Sequence, residues 1–183
     1  MHAGSGLHDA VSPWVRRWSD LVPAGARVLD VACGGGRHVR WFAGRGCAVT
    51  GVDRDAAAVE PLRTMARVVV ADLEAGPWPL PGETFDAVVV TNYLWRPLLE
   101  TIVASVAAGG VLLYETFAAG HETIGRPSNP DFLLRPGELL RAVAGLRVVA
   151  YEDGFVEPPP RYVQRIAAVR EHAGAATPAR YRL

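Results

Sequence analysis

Short runs of apolar residues alternate along the chain with segments in which apolar residues recur at helical spacing. Where the apolar run is continuous and rich in valine the pattern predicts strands, at residues 26–32, 47–53, 66–74, 85–94 and 110–117. Where the apolar residues share one face it predicts helices, at residues 12–22, 37–46, 54–64, 96–109 and 135–145. This alternation is typical of a mainly parallel sheet covered by helices on both faces.

The end of the pattern differs from the rest. Two further strands are predicted at residues 146–156 and 161–171, and only a short proline-rich turn, "EPPP", separates them. Strands joined so closely must pair antiparallel. The predicted fold is therefore α/β and doubly wound, with a mainly parallel seven-stranded sheet and an antiparallel C-terminal hairpin. Neither a repeat nor a linker is found, so we expect a single domain over residues 1–183, with an N-terminal helical segment at 1–24 and a tail at 172–183.

Composition and charge restrict the possible partners. The chain has 183 residues, with 19 basic and 19 acidic side chains and a formal net charge of zero at pH 7. Sequence-independent binding to nucleic acid needs a strong positive field, so no nucleic acid partner is expected. The two cysteines, Cys33 and Cys47, predict neither a disulfide framework nor a metal site. No apolar run reaches the roughly 18 residues of a membrane span, and the start of the chain lacks a secretory pattern. A cytoplasmic location is expected, and no oligomer is predicted.

A glycine loop lies between the first buried strand and the next helix, in "RVLDVACGGGRH" at residues 27–38. A dinucleotide-binding loop would need a third glycine where Val39 stands, after Gly34 and Gly36. A triphosphate-binding loop would need a lysine, and all 19 basic residues are arginine. Both phosphate-binding interpretations are therefore weakened.

Three aspartates follow three successive strands of the predicted sheet: Asp30, Asp53 and Asp72. The carboxyl ends of parallel strands meet at one edge, where doubly wound sheets bind their ligands. Asp30 would repel a pyrophosphate but suits a cationic group, and an acid at the position of Asp53 commonly binds a ribose diol. The pattern predicts a nucleoside with a cationic, amino-acid-bearing arm, and S-adenosylmethionine fits that description.

These residues resemble the motifs of the class I S-adenosylmethionine-dependent methyltransferases, in the same order and over nearly the whole chain. The segment "VLDVACGGGRH" resembles motif I, "VTGVDRD" motif II, "FDAVVVTNYL" motif IV and "GGVLLYETF" motif V, while "VADLE" resembles the adenine-contacting segment. Within this class, "NYLWRPL" and "YETF" look most like the tellurite-resistance methyltransferase-like group. The resemblance implies a Rossmann-like methyltransferase fold, with S-adenosylhomocysteine as a product.

The resemblance also implies roles for individual residues. The methionine part of the cofactor would be held by Asp30, Gly34 and Gly36, and the ribose by Asp53. The adenine would be held by Asp72 and Leu73, and the sulfonium would lie beside Asn92 and Tyr93. Ala32, Cys33 and Arg54 adjoin these positions and belong to the same set. Ala32 departs from the pattern, which prefers glycine, and it is compatible with binding if its φ is negative.

The acceptor side of the site is predicted from the segments after the fourth and fifth strands. The candidate catalytic residues are Tyr93, Glu115 and His121, although in-line methyl transfer needs a base only if the acceptor must lose a proton. The candidate substrate-binding residues are Trp95, Arg96, Phe117, Arg126 and Arg135. The polar, proline-rich loop at 118–138 is the candidate lid, and His38 is expected on a helix surface.

The acceptor class follows from what motif IV lacks. It reads "TNYL" rather than the N/D-P-P-Y/F arrangement that grips the exocyclic amine of a nucleobase. Together with the absence of net charge, this favours a small-molecule acceptor. Two alternatives remain open: an NAD-dependent oxidoreductase on the same fold, and a catalytically inactive module that binds S-adenosylmethionine.

Overall fold

The computed structural model describes residues 10–174 and 179–183. The first nine residues of the predicted N-terminal segment, and with them the question whether that segment covers the cofactor, lie outside the described residues. Residues 175–178 of the predicted tail lie outside them as well. Within the described ranges, the structure contains no helix that is long and apolar enough to cross a membrane.

Helices and strands alternate over most of the chain, as the apolar pattern predicts. The helices are α1 (Pro13–Trp18), α2 (Arg37–Gly44), α3 (Ala56–Val59), α4 (Leu99–Ala104) and α5 (Glu138–Ala142). The strands are β1 (Arg27–Val31), β2 (Ala48–Asp53), β3 (Arg67–Val70), β4 (Phe85–Thr91), β5 (Val106–Phe117), β6 (Arg147–Val156) and β7 (Arg161–Val169). Short 3₁₀ turns lie at Ser19–Leu21, Glu60–Thr64, Arg96–Leu98, His121–Thr123 and Pro130–Phe132.

The seven strands found in the described residues form one sheet in the order β3-β2-β1-β4-β5-β7-β6. Strands β1 to β5 are parallel to their neighbours, while β7 is antiparallel to both β5 and β6. The predicted fold class, including the antiparallel C-terminal hairpin, is confirmed. The insertion of β7 between β5 and β6 is a feature that the local pattern does not contain.

One predicted boundary is wrong, because the helix expected over 96–109 ends at Ala104 and β5 already begins at Val106. In the segment "VAAGG" (106–110) no side chain after Val106 is larger than a methyl group, so the apolar pattern does not distinguish a helix from a strand here. Pairing decides instead, since Val106 lies opposite Phe85 and the register shifts before Ala87 meets Val111. Gly109, with a φ of 80°, permits the backbone to turn within this irregular start of the strand.

The core lies on both faces of the sheet, as a doubly wound fold requires. On one face α1 and α2 bury Trp14, Trp18 and Phe42 against the sheet. On the other face α4 and α5 bury Ile102 and Leu139. These layers hold the carboxyl ends of β1, β2, β3 and β4 at one edge, where the three strand-end aspartates lie.

Candidate functional site

The glycine loop connects β1 to α2 in a conformation that favours glycine at two of its positions. Gly34 has a φ of 51° and Gly36 a φ of 77°, both in the left-handed region. A Cβ atom on Gly36 would also collide with the side chain of Leu62. The loop is closed by a hydrogen bond from the Gly36 amide to the Cys33 carbonyl, 2.9 Å long. Its backbone therefore passes close to neighbouring groups without side chains in the way.

Asp53, the last residue of β2, ties this loop to the next strand. One carboxylate oxygen accepts a hydrogen bond from the Gly34 amide at 2.7 Å, and the other accepts one from the Asp55 amide at 2.9 Å. Each oxygen keeps a further lone pair, because an ionised carboxylate has about four acceptor sites. Asp53 is thus oriented by the loop and still able to accept hydrogen bonds from a ligand.

Ala32, the first residue after β1, has a φ of 54°. The condition under which alanine was expected to be compatible with binding, a negative φ, is therefore not met. The backbone turns into the left-handed region here, which explains why the family pattern prefers glycine at this position. An L-residue with a side chain pays roughly 1–2 kcal/mol for this conformation, because Cβ approaches the following carbonyl oxygen.

The Ala32→Gly variant is therefore expected to be more stable than the natural protein. Relief of the left-handed strain exceeds the greater freedom of glycine in the unfolded chain, so the free energy of unfolding should rise by about 0.5–1 kcal/mol. Urea unfolding followed by circular dichroism measures this change. Ala48→Gly, at an exposed strand position without a positive φ, is the matched control and should destabilise. A loss of stability in both variants would contradict strain at Ala32.

Two adjoining cavities open at the carboxyl edge of the sheet, and they share Ala32. The first, named cavity A, has a volume of about 130 Å³ and is lined by Ala32, Asp53, Arg54, Ala71, Asp72, Leu73, Glu74 and Tyr93. The second, named cavity B, has a volume of about 310 Å³ and is lined by Ala32, Cys33, Gly34, Gly35, Gly36, Arg37, Thr91 and Asn92. The structure thus brings nearly all the predicted cofactor-binding residues together, divided into a group around the second and third strands and a group around the glycine loop.

Cavity A contains the residues predicted for the ribose and the adenine. Asp72 accepts hydrogen bonds from the amides of Glu74 and Ala75 with one oxygen, at 2.9 and 3.2 Å, which leaves its other oxygen for a ligand. Tyr93, predicted beside the sulfonium together with Asn92, lines this cavity instead, while Asn92 lines cavity B. Among the described residues the buried Tyr93 hydroxyl has no hydrogen-bond partner. Burial raises the pKa of Tyr93, so the phenol keeps its proton at neutral pH.

Asp30 lies beneath the glycine loop rather than on the wall of either cavity, and it is only 1% exposed. Its Oδ2 atom has no hydrogen-bond partner in the part of the chain that the structure describes. Burial raises the pKa of Asp30 to about 8, with a smaller rise from the charge of Asp53, while Arg37 acts in the opposite direction. An unpartnered buried carboxyl group of this kind favours the arrival of a cationic group above it.

Glu115, a candidate base, is buried and already engaged on both oxygens. The Ser12 hydroxyl donates to Oε1 at 2.8 Å, and the Arg165 guanidinium donates to Oε2 at 3.1 Å. In the sheet, polar residues of four neighbouring strands lie opposite one another. Thr91 of β4 lies opposite Glu115 of β5, which lies opposite Arg165 of β7, and Arg165 lies opposite Glu152 of β6. Glu115 thus joins α1 to β5 and β7 through hydrogen bonds within the protein.

His121 lies in the turn after β5 and is also buried. Its ring stacks on Phe117 with the centroids 4.4 Å apart, and its Nε2 lies 3.0 Å from the Arg126 carbonyl oxygen. A carbonyl oxygen only accepts, so Nε2 carries a proton. Nδ1 has no partner among the described residues. Of the three candidate catalytic residues, His121 is the one with an unengaged basic atom.

The loop at 118–138, the candidate lid, is bound to the body of the protein. Arg96 donates to both oxygens of Glu138, at 2.8 and 3.0 Å, and to the carbonyl oxygens of Asp131 and Leu133. The buried Gln164 side chain adds bonds to the Leu139 amide and the Arg135 carbonyl. These contacts hold the segment as one wall against the body of the protein. The Arg96 guanidinium donates its hydrogen bonds to groups of the protein itself. The side chains of Arg126 and Arg135 are exposed on this wall, and Trp95 is half-buried.

Three polar residues around cavity B were not singled out from the sequence. Arg37 and Thr91 line this cavity, and Ser12 lies beside them in the network of Glu115. His38 is 1% exposed, so its expected position on the helix surface is wrong. The Ser12 amide donates to its Nε2 at 3.2 Å, and burial is possible because this bond satisfies the ring. The one local signal for Arg37 is its position directly after the glycine loop.

Comparisons with known proteins concern the fold and the type of domain. Residues 28–110 match a family described as "Methyltransferase domain". No curated protein sequence matches the chain. The fold is similar to that of TehB from Haemophilus influenzae, with a TM-score of 0.72 and 18% identity over 88% of this chain. The match covers 63% of that protein's chain, so this chain spans under two thirds of its length.

Two further solved structures extend this similarity. A TehB-like SAM-dependent methyltransferase from Corynebacterium glutamicum has a TM-score of 0.63 and 23% identity, over 86% of each chain. Coclaurine N-methyltransferase, solved with N-methylheliamine and SAH, has a TM-score of 0.59 and 20% identity, over 78% of this chain and 49% of its own. These likenesses confirm the predicted fold.

Proposed function

We propose that the chain is an S-adenosylmethionine-dependent methyltransferase that methylates a small-molecule acceptor, and the match of residues 28–110 to a methyltransferase domain supports this proposal. The observation that carries the proposal is the pair of cavities that meet at Ala32. A ligand with a nucleoside at one end and an amino acid at the other needs two such adjoining spaces.

The chemistry of the residues fits S-adenosylmethionine. Cavity A offers carboxylate acceptors for ribose hydroxyls and an exocyclic amine, from Asp53 and Asp72. Beneath the glycine loop, Asp30 has an oxygen without a partner among the described residues, and a cationic group would complete it. When bound, S-adenosylmethionine supplies a methyl group activated by a sulfonium, and S-adenosylhomocysteine is the product.

The residues of this chain mainly bind and orient. Asp53 holds the glycine loop through the Gly34 amide, which fixes the position of the loop relative to β2. Residues 118–138 are bound to the body of the protein by Arg96, through Glu138 and the Leu133 carbonyl oxygen. Alignment of an acceptor atom in line with the methyl group supplies roughly 7–11 kcal/mol of the barrier reduction in such transfers.

The acceptor class is supported by charge and by motif IV. A protein with no net charge lacks the field that would draw nucleic acid to it. The segment "TNYL" has no proline, so it lacks the N/D-P-P-Y/F arrangement that grips a flipped base. His121 is the candidate base for an acceptor that must lose a proton; its Nδ1 has no partner among the described residues, but this atom is buried and the residue lines neither cavity.

Calorimetry with S-adenosylhomocysteine and, separately, with NAD tests the cofactor. We expect saturable binding of S-adenosylhomocysteine and none of NAD. Binding of NAD alone would favour an oxidoreductase of the same fold. Methyl-labelled S-adenosylmethionine, offered with thiols, carboxylates, phenols, metalloid oxyanions and RNA in turn, then tests turnover. Binding without transfer to any of these would favour an inactive cofactor-binding module.

A further inference from the structure

Thr91, the last residue of β4, presents a hydroxyl group to cavity B. It is half-buried, and it lines this cavity together with the glycine loop, Arg37 and Asn92. The direction in which its proton points follows from the hydrogen-bonding groups around it.

Two nitrogen atoms face the Thr91 oxygen. The Arg37 guanidinium donates through Nη2 at 3.2 Å. The His38 Nδ1 atom lies 3.5 Å away, a longer contact whose direction depends on which ring nitrogen carries the proton. A guanidinium only donates, so the first of these contacts already occupies one lone pair of the Thr91 oxygen.

The tautomer of His38 is fixed by the backbone of residue 12. The Ser12 amide donates to Nε2 at 3.2 Å, so Nε2 must have its lone pair free. Burial, with a smaller contribution from the charge of Arg37, lowers the pKa of His38 to about 3, so the ring is neutral. A neutral ring with an unprotonated Nε2 carries its proton on Nδ1. His38 therefore presents an N–H group to Thr91 and cannot accept from it.

The Thr91 proton is left without a protein acceptor. Its oxygen faces two donors, and in residues 10–174 and 179–183 the hydroxyl donates to no other group. A hydroxyl with both lone pairs facing donors directs its proton away from them. Thr91 lines cavity B, so an acceptor atom of a ligand in this cavity is able to take the proton.

The charge beside this donor indicates the kind of atom that it binds. The Arg37 guanidinium lies within hydrogen-bond distance of Thr91 and lines the same cavity. Burial lowers the pKa of Arg37, but arginine stays charged at neutral pH. A fixed positive charge and a directed hydroxyl proton together favour an anionic oxygen. The unpartnered acid, Asp30, lies beneath the loop and suits the opposite charge.

We propose that Thr91 binds the carboxylate of the amino-acid arm of the cofactor, with Arg37 and His38 as the residues that aim its hydroxyl. This inference rests on the proposed function. It assigns the carboxylate of the arm to Thr91 in cavity B and pairs the ammonium with Asp30, which lines neither cavity and whose Oδ2 has no partner among the described residues. His38 acts through Thr91 and is a positioning residue.

Two variants and two probes test the assignment by calorimetry, without turnover. Thr91→Val removes the hydroxyl at constant shape, and Thr91→Ser keeps it. S-adenosylhomocysteine has the amino-acid arm, and 5′-methylthioadenosine lacks it. Because a hydrogen bond to a charged group is lost, Thr91→Val should weaken S-adenosylhomocysteine binding roughly 10- to 100-fold and leave 5′-methylthioadenosine binding unchanged. Thr91→Ser should bind both probes as the natural protein does.

An affinity for S-adenosylhomocysteine within twofold of the natural value in Thr91→Val would overturn the proposal. An equal loss for both probes would overturn it too, because the effect would then be on the fold of the pocket. If the natural protein binds neither probe, the proposed function itself fails, which is a distinguishable result. Nitrogen-15 NMR of the free protein gives a separate check on His38. The proposal requires a proton on Nδ1, and a proton on Nε2 would overturn it.

Discussion

The Asp30→Asn variant is expected to gain stability relative to the natural protein as the pH rises, and to lose cofactor affinity. Asp30 is buried, and its Oδ2 has no partner among the described residues. Because burial raises its pKa to about 8, the folded protein keeps this proton over a range in which the unfolded chain, with the ordinary value of 3.8, has released it. The folded state therefore binds more protons than the unfolded state, and its stability falls as the pH rises from about 4 to about 8.

The measurement is the free energy of unfolding in urea at several pH values. In the natural protein Asp30 should lower it by at most roughly 1.4 kcal/mol per pH unit in this range. In Asp30→Asn that contribution is absent, so the difference between the two proteins should grow with pH and level off above about 8. Asp131→Asn, at an exposed position, is the matched control and should follow the natural protein. A constant difference between Asp30→Asn and the natural protein would contradict a shifted carboxyl group.

The same variant should bind S-adenosylhomocysteine at least tenfold more weakly. A bound ammonium favours the ionised form of Asp30 and pairs with it, whereas the side-chain amide of the variant cannot ionise and offers no counter-charge. A hydrogen bond to a charged group contributes about 1.5–3 kcal/mol, and this is the loss that calorimetry should detect. Unchanged affinity in a folded variant would mean that Asp30 serves the loop and not the ligand.

The Asp53→Ala variant is expected to lose at least tenfold in affinity for S-adenosylhomocysteine as well. Two effects add, because the carboxylate lines cavity A and also accepts the Gly34 amide at 2.7 Å. Loss of the ribose contact can be separated from loss of the loop contact by comparing S-adenosylhomocysteine with its 2′-deoxy analogue. The natural protein should prefer the ribose form, and Asp53→Ala should bind both forms about equally.

Asp55→Ala is the neighbouring control for this experiment. Asp55 caps α3 by accepting the amides of Ala57 and Ala58, at 3.0 and 3.1 Å, and it lines neither cavity. Its removal should lower the free energy of unfolding by about 1 kcal/mol and leave the affinity unchanged. If Asp53→Ala and Asp55→Ala weaken binding equally, the ribose assignment is wrong.

The parts of the site that lie near one another in sequence could be predicted. The glycine loop and the strand-end positions of Asp30 and Asp53 follow from an apolar run that stops and a turn that begins. The sign of φ at Ala32 did not follow, because an alanine gives no local indication that the backbone must turn left. The extent of the helix before β5 did not follow either, since pairing with β4 and not local preference ends it.

Contacts between distant residues could not be predicted from a single sequence. Ser12 and His38 are 26 positions apart, and Ser12 and Glu115 are 103 apart, yet these residues form one buried network. No periodic pattern records such a pairing, and a buried histidine looks the same in sequence as an exposed one. Glu115 and Arg96 show the converse. A charged residue near a strand end suggests a ligand, and here both bind other parts of the protein.

The position of β7 between β5 and β6 has a consequence for the order in which the chain can assemble. During synthesis β5 and β6 are both complete before β7 exists, and neither is the other's neighbour in the sheet. Until β7 has been added, one edge of β5 is unpaired, and until residue 165 has been added Glu115 lacks the guanidinium of Arg165. The hairpin of β6 and β7 is local, but the pairing of β7 with β5 joins segments far apart in sequence, and contacts of this kind are the slowest to form. The emerging chain therefore completes its sheet only at its last strand, and an interrupted chain leaves a buried acid without its counter-charge.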